Sequence, residues 1–378
     1  MIFLDNASTT PVRKELIDVI NHYNCDEFFN PSAPYNVSIK VNQDIENARQ
    51  NIIKALNGDE NAKIIFTGSA TEANNTALIG QLNRRYKKVI ISQGEHSSIF
   101  NTVHTLEMLG YTVVTLGLDA TGKVDVEQLK KEMDGTVGIV SIMHVSNETG
   151  AINDIEQIVK IVKKVNPNCV VHCDGVQAFG KIKVNLKKLS VDMYTLSAHK
   201  INGPKGIAVL YSKQSIKPFI LGGDQQSGMR AGTENVSGIM ALSYLSGNLD
   251  LENKTKHIKK LNDICRQYLV SLHDDKIKIN SSIDCSPYII SLSMSGVNGE
   301  TLVHMLEQDE IYIGTGSACN SKKHHNRILE SMGVGSDVQK ASVRISFGVQ
   351  NTESEVEYGI QKICDNYKKL YNQTGGKK

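Results

Sequence analysis

An amine, a carboxylate set in an apolar run, a thiol and a guanidinium stand out in this sequence as groups able to do chemistry together. Lys200 ends Ser197-Ala198-His199-Lys200, which follows the strand-like run Val191–Leu196. A lysine just past a strand end sits at the rim of a parallel sheet, where such folds bind ligands. At a reference pKa of about 10.4 its amine is neutral in only about 0.04% of molecules at pH 7. A Schiff base with a pyridoxal aldehyde removes that handicap, because the amine is then already engaged. Alone, the lysine reads as a surface residue, since surface lysines after strands are common. Asp174 ends the apolar run Cys169–Cys173, where a carboxylate is costly without a cationic partner. A protonated pyridine nitrogen would be such a partner, and pairing it makes the ring a better electron sink. A helix cap and a metal ligand are the other readings of Asp174. Gln177 lies close enough in the chain to donate to the ring's phenolic oxygen.

Thr67-Gly-Ser-Ala-Thr-Glu72 joins a strand to a helix. A small-residue turn at a helix N-terminus cradles phosphate, the dipole alone contributing about 0.3–2 kcal/mol. Ser197, His199 and Thr233 are further donors for such a group, although the turn also reads as an ordinary capped helix. Cys319 lies in Gly314-Thr-Gly-Ser-Ala-Cys-Asn-Ser321, a small polar run without helical or strand periodicity, so an exposed and mobile loop is expected there. A thiol with a reference pKa of about 8.5 is about 3% thiolate at pH 7, and a nearby cation increases that fraction. Arg344, in Ser342-Val-Arg-Ile-Ser346, points out of a short strand and can clamp a carboxylate bidentately. A surface or interdomain salt bridge is its other reading.

The elements that must position these groups are legible as a pattern. Between residues 60 and 215 short β-branched runs alternate with amphipathic stretches. Strands are expected at 63–67, 89–92, 112–116, 137–143, 170–173, 191–196 and 207–211, with a helix from Ala70 to Arg84. Apolar runs separated by helices argue for a mostly parallel sheet covered on both faces. Two helices are expected in 11–57, the first opened by Thr10-Pro11 as cap and first turn, the second closed by Gly58. After Gly232 come helices near 235–248 and 252–273, then shorter elements and a last helix over 352–370, which reads as a second, smaller α/β domain. The last residues, 375–378, are expected to fray.

Composition excludes several function classes. Forty-two Lys and Arg against 40 Asp and Glu leave a charge of +2, too balanced for a non-specific grip on DNA or an acidic membrane. No apolar run approaches the roughly 18–20 residues of a membrane span, and Asp5-Asn6 interrupts any signal-peptide core. The seven scattered cysteines are not a disulfide framework and point to a reducing cytoplasm. Cys169 and Cys173 read as buried residues, without the second Cys/His pair that a zinc site needs. Gly175-Val-Gln-Ala-Phe-Gly180-Lys181 starts like a phosphate loop, but Ile182 replaces the hydroxyl residue that would hold magnesium. The alternating run 182–186 reads as a strand where a helix should open, so the match is chance.

Taken in order, a longer series of segments resembles the NifS/IscS-like cysteine desulfurases of the class V aminotransferase family. They are Leu4-Asp-Asn-Ala-Ser-Thr-Thr-Pro11, Asn30-Pro-Ser32, Thr67–Glu72, Glu95-His96 and His144-Val-Ser-Asn-Glu-Thr-Gly150. Asp174–Gln177, Ser197–Lys200, Gly228-Met-Arg-Ala-Gly-Thr-Glu-Asn235, Gly316-Ser-Ala-Cys319 and Ser342–Ser346 complete the series, which spans nearly the whole chain. The resemblance implies the pyridoxal-phosphate-dependent transferase fold of type I. That fold has a large domain over 12–245 with a mostly parallel seven-stranded sheet, and a small domain from 1–11 and 246–378. It implies that Lys200 holds pyridoxal phosphate, with Asp174 on the pyridine nitrogen, Gln177 on the phenolic oxygen, and His96 stacked on the ring and shuttling protons. Ala70, Thr71, Ser197 and His199 would bind the phosphate, joined by Thr233 from the other subunit of a homodimer. Asn147 and Arg344 would hold the carboxylate of L-cysteine. Cys319 would attack its sulfur, leaving alanine and an enzyme persulfide for a protein acceptor, either an iron–sulfur scaffold or a tRNA-thiolating enzyme.

The sequence departs from that family's pattern at Tyr35 after Asn-Pro-Ser, at Asp224 and Gln226 in Gly222-Gly-Asp-Gln-Gln226, and in the run 320–325 after Cys319. These positions leave the pyridoxal residues intact and bear on the acceptor and the rate of sulfur transfer. An aminotransferase or a cysteine/selenocysteine lyase on the same scaffold would leave Cys319 unused. A catalytically weakened cofactor-binding scaffold is the reading from outside enzymology.

Overall fold

The computed structural model describes residues 1–82, 85–315 and 326–373. In chain order its strands are β1 (Ile2–Phe3), β2 (Lys63–Thr67), β3 (Lys88–Ser92), β4 (Thr112–Leu116), β5 (Val137–Ser141), β6 (Val170–Asp174) and β7 (Met193–Ser197). These are followed by β8 (Ala208–Ser212), β9 (Ile277–Ile279), β10 (Ile289–Met294), β11 (Ile311–Tyr312), β12 (Gly314–Thr315) and β13 (Ser342–Ser346). A seven-stranded sheet has the order β2-β8-β7-β6-β5-β3-β4. Only β8 runs against its neighbours. Every residue of β5, β7 and β8 is buried, the mark of strands covered by helices on both faces.

Because β2, β3, β5, β6 and β7 point the same way, their carboxyl ends share one edge of the sheet. β3 lies between β4 and β5, so the chain reverses its direction of travel there, and such reversals open a crevice. Thr67–Glu72, Glu95-His96, His144–Gly150, Asp174–Gln177 and Ser197–Lys200 all follow strands that end on that edge.

A second, antiparallel sheet, β12-β13-β10-β9, and the parallel pair β1-β11 accompany a separate core. That core takes Leu4 and Ala7 from the start of the chain and residues from Ile258 to Leu370. The main core takes Leu16 through Leu245, and also Ile328, Leu329 and Met332 from the short helix Arg327–Ser331. Both chain regions thus cross between the cores. No described helix is long and apolar enough to cross a membrane.

Several expectations are corrected. Thr10-Pro11 does not open a helix; the first helix is Glu15–Asn21, continued by a wider π turn at His22–Asp26. Thr10 is instead bound to the loop of Lys200: its N–H and hydroxyl both donate to His199 O at 2.9 Å. The helix Asn36–Ala55 ends in a Schellman motif in which Asn57, at φ +47°, takes the left-handed position assigned to Gly58. Gly58 is demanded by packing, since a Cβ there would lie 2.7 Å from the Tyr211 ring. The run 182–186 is not a strand but leads into the turn Leu186–Leu189, capped by the Asn185 side chain. The helix from Ala70 stops at Ile79, short of Arg84, which lies outside the described residues, as do 375–378.

Gln226 also acquires a reason. It is buried, at φ +50°, beside the edge strand β2, where its amide does the work of a neighbouring backbone. Phe66 N donates to Gln226 Oε1 at 2.7 Å, and Gln226 Nε2 donates to Phe66 O at 2.8 Å. A carboxylate has no donor for that carbonyl. Gln226→Glu is therefore expected to cost about 1–3 kcal/mol, the range for a buried group left unsatisfied. Urea unfolding of the purified variant measures this, and Gln226→Met, which removes both partners of the amide pair, should lower the midpoint as well.

Candidate active site

The segment Asp5–Thr10, which turns at Asn6–Ser8, supplies the site with backbone carbonyls. Lys200, on the single turn after β7, donates through Nζ to Ala7 O at 2.7 Å and Ser8 O at 2.6 Å. Gln177 Nε2 donates to the same Ala7 O at 2.9 Å, and His199 Nδ1 pairs with Thr9 Oγ1 at 3.1 Å. Burial, reinforced by the positive charge of Lys200, Lys205 and Lys181, pushes His199 down to about 4. It is therefore a neutral imidazole at neutral pH.

Asp174 closes β6 and is 3% exposed. Its Oδ2 accepts from Asn74 Nδ2 at 2.8 Å and its Oδ1 from Val176 N at 3.0 Å. Among the described residues no Lys, Arg or His donates to it. The other N–H of Asn74 donates to Ser98 Oγ at 2.8 Å, so the single Ser98 hydroxyl proton is directed to His96 Nδ1, also 2.8 Å away. Ser98 N donates to the same Nδ1 at 3.1 Å. With Nδ1 accepting twice, the His96 proton sits on Nε2. Burial lowers the His96 pKa, against the opposing pull of Asp174. Asp174 and His96 are thus joined through Asn74 and Ser98, two residues that no motif singled out.

Glu95 is fully buried, and burial, with Asp174 adding to it, pushes its carboxyl up to about 8. Ser92 Oγ donates to Glu95 Oε1 at 2.6 Å, and Met143 N donates to it at 3.0 Å. His144 and His172 are also buried, each driven by burial to about 4.

Arg344 is 7% exposed, so it faces inward rather than out of β13. Its Nη2 pairs with Asp5 Oδ1 at 2.9 Å, and its Nη1 donates to Asn147 O at 2.9 Å and to Glu148 Oε1 at 3.3 Å. This is the salt bridge between the two cores that the sequence allowed, and it brings Arg344 and Asn147 together. Asn147 Oδ1 is buried without a hydrogen-bond partner among the described residues. Burial raises Glu148 to about 7, which Arg344 opposes.

At the start of the helix Ala70–Ile79, Ser69 Oγ accepts from Glu72 N at 3.2 Å and Glu72 Oε2 from Gly68 N at 2.8 Å. Arg230 Nε holds Glu72 Oε1 at 2.9 Å. This reciprocal capping leaves the first-turn N–H groups of Ala70 and Thr71 for an outside acceptor. Ser197 is buried at the end of β7, and Thr233 is exposed in a loop. Cys319 lies outside the described residues, but both flanks of its segment are placed. Gly314 pairs with Arg344 across β12 and β13. Arg327 donates to Glu95 O at 2.5 Å and lies 3.5 Å over the Phe100 ring.

This donor set fits pyridoxal phosphate. Asp174 is a buried carboxylate whose only donors are neutral, so it suits a ring nitrogen that carries a proton. Gln177 has one amide N–H engaged by Ala7 and one without an acceptor among the described residues. The Ala70–Thr71 turn suits a phosphate.

Known proteins agree. The family model for class-V aminotransferases matches residues 2–358. The chain is 34% identical over 372 residues to a cysteine desulfurase IscS of Dictyoglomus turgidum, covering 96% of this chain and 93% of that protein. Among solved structures, a NifS-like protein superposes with a TM-score of 0.91 at 33% identity, covering 98% of this chain and all (100%) of the other. A structure described as SspA in complex with cysteine gives 0.81 at 26% identity, covering 93% of this chain and 100% of that one.

The buried carboxyl of Glu95 makes a testable demand. Between the ordinary value of 4.5 and about 8 the folded chain keeps a proton that the unfolded chain has lost, so this group lowers stability as pH rises through that window. The buried histidines act in the opposite sense, adding stability as pH rises from about 4 to 6.5. Comparing Glu95→Gln with the parent cancels the histidines. The variant should gain stability relative to the parent as pH rises across the window, read as the difference in urea midpoints at its two ends; a constant difference would refute an ionisable, uncompensated Glu95.

Proposed function

The chain belongs to the class-V aminotransferase family and is a pyridoxal-phosphate-dependent cysteine desulfurase, and on that premise we propose how its own residues divide the work. Pyridoxal phosphate, when bound, supplies an electron sink next to the amino group of the substrate. Lys200 would hold it covalently, giving up the Ala7 and Ser8 carbonyls. Asp174 would take the ring nitrogen and Gln177, through its remaining N–H, the phenolic oxygen. Ala70, Thr71, Ser197 and His199 would take the phosphate, with Thr233 of the partner subunit completing the set in a homodimer. What supports this is the convergence of Lys200, Asp174 and Gln177 on one edge, with donors and acceptors left over that match the cofactor.

Asn147 and Arg344 would bind the carboxylate of L-cysteine, which competes with Asp5 and Glu148 for the guanidinium. A third carboxylate there is tolerated because Glu148, held up to about 7, accepts a proton readily. His96, neutral with its proton on Nε2, can stack on the ring and exchange protons from that nitrogen. The thiolate of Cys319 attacks the substrate sulfur, a new S–S bond forms and the C–S bond breaks. The electron pair of the broken bond stays with the substrate, whose carbon takes up a proton, so cysteine leaves as alanine and Cys319 keeps the sulfur as a persulfide. Of the described residues on either side of Cys319, Gly314 pairs with Arg344 and Arg327 donates to Glu95 O, which favours this cysteine for the attack. We further propose that the persulfide passes to a protein acceptor, an iron–sulfur scaffold or a tRNA-thiolating enzyme, in a reducing cytoplasm.

Cys319→Ser should bind the cofactor normally yet release no sulfide from cysteine plus reductant; undiminished release would exclude the proposed attack. Borohydride reduction and peptide mapping should put the pyridoxyl label on Lys200 and nowhere else. Arg344→Gln should raise KM for cysteine about ten- to a hundredfold, the worth of a charge-assisted bidentate contact, whereas an unchanged KM would move the carboxylate site elsewhere.

A further inference from the structure

Lys181, the lysine of the chance phosphate-loop match, is 5% exposed. The charges that act on its amine are Lys200 and Arg344, both cations; burial and these two push it down to about 7. Its Nζ donates to Gln177 Oε1 at 2.5 Å and lies 5.5 Å from the centroid of the Tyr288 ring. Among the described residues no carboxylate pairs with this amine; an ammonium buried without an anion is costly, and a methionine would fill the space without that cost, so the amine has a task beyond packing.

The task follows from what each atom can do. In its ammonium form Lys181 only donates, so the amide oxygen of Gln177 faces it. The flipped amide would set N–H groups against N–H groups. Nε2 is then turned the other way, toward Ala7 O at 2.9 Å, the carbonyl that also receives Lys200. One Gln177 N–H is thereby fixed by Ala7, the oxygen is fixed by Lys181, and the last N–H has one direction left to it. We propose that Lys181 is a positioning residue that locks the Gln177 amide so that this N–H serves the phenolic oxygen of the cofactor. The proposal rests on the role of Gln177 given above and names the group that enforces it.

The test uses the full-length protein loaded with pyridoxal phosphate and reads two quantities that do not depend on turnover: the pH at which the visible band of the bound cofactor titrates, and the cofactor Kd. A hydrogen bond to the ionised oxygen favours that form, so losing it raises the titration midpoint. Lys181→Met removes charge and donor; it should raise the midpoint by about one pH unit and the Kd about tenfold. Lys181→Gln keeps a neutral N–H donor for Gln177 Oε1 and should return both quantities toward the parent values. In a Gln177→Leu background, Lys181→Met should add nothing further. An unshifted midpoint in Lys181→Met, a Gln variant as impaired as the Met variant, or an equal shift in the Gln177→Leu background would each overturn the proposal. A parent protein that takes up no pyridoxal phosphate would instead sink the functional reading itself, and the outcomes stay distinct.

Discussion

The site depends on one short stretch of backbone. Asp5–Thr10 lies between the two cores, and nearly every polar group of the site reaches it: Arg344 through Asp5, Gln177 and Lys200 through Ala7, His199 through Thr9 and Thr10. The segment is anchored from the other side as well, since Ala7 N donates to Ser346 Oγ at 2.8 Å and Asn6 Nδ2 to Ser346 O at 3.0 Å. An amine, an amide and a guanidinium from three distant parts of the chain are therefore registered against a common ruler. The backbone acceptors Ala7 O and Ser8 O have no rotamers to lose, so they fix the amine and the amide at less entropic cost than other side chains would.

A second constraint is electrical. Asp174 is buried with only neutral donors, Glu95 beneath it is held protonated, and His96, His144, His172 and His199 are held neutral by burial. Such surroundings add few competing charges to Asp174, so a cation arriving opposite it meets a nearly unscreened carboxylate. On the other flank Lys200, Lys181 and Arg344 gather positive charge, which suits an anionic ligand and a carboxylate substrate. The crevice thus carries opposite biases on its two sides before anything binds. The Asn74–Ser98 link transmits one of them, since it ties the carboxylate to the tautomer of His96.

Much of this was legible in the sequence. Strand ends announce themselves where β-branched runs meet small or polar residues, so Asp174 and Lys200 could be placed at a sheet rim from periodicity alone. Residues whose partners lie far along the chain were not legible. Thr10-Pro11 has the local form of a helix start, but a hydrogen bond to His199 outweighs the cap. Gln226 looked like a departure from pattern because its partner, the backbone of Phe66, carries no side-chain signal. Asn74 sits mid-helix among small residues and gains its role from Asp174 and Ser98, across a sheet. Lys181 offered a usable signal: a lysine following apolar, small residues, in the segment that also carries Asp174 and Gln177.

The same reasoning explains why the cysteine-bearing segment is tethered as it is. Sulfur transfer needs a thiol that can meet a substrate fixed deep in the crevice and then carry its burden outward. The two attachment points of that segment are not equivalent. Gly314 pairs with the strand of Arg344 and has no room for a side chain, a Cβ there falling 2.8 Å from Asp5 Oδ1 and 3.1 Å from Arg344 Nη2. Arg327 is fixed to the Glu95 carbonyl and the Phe100 ring, on the helix that returns to the main core. The described residues before Cys319 therefore join the strand of Arg344, and those after it join the core that carries Asp174 and Lys200.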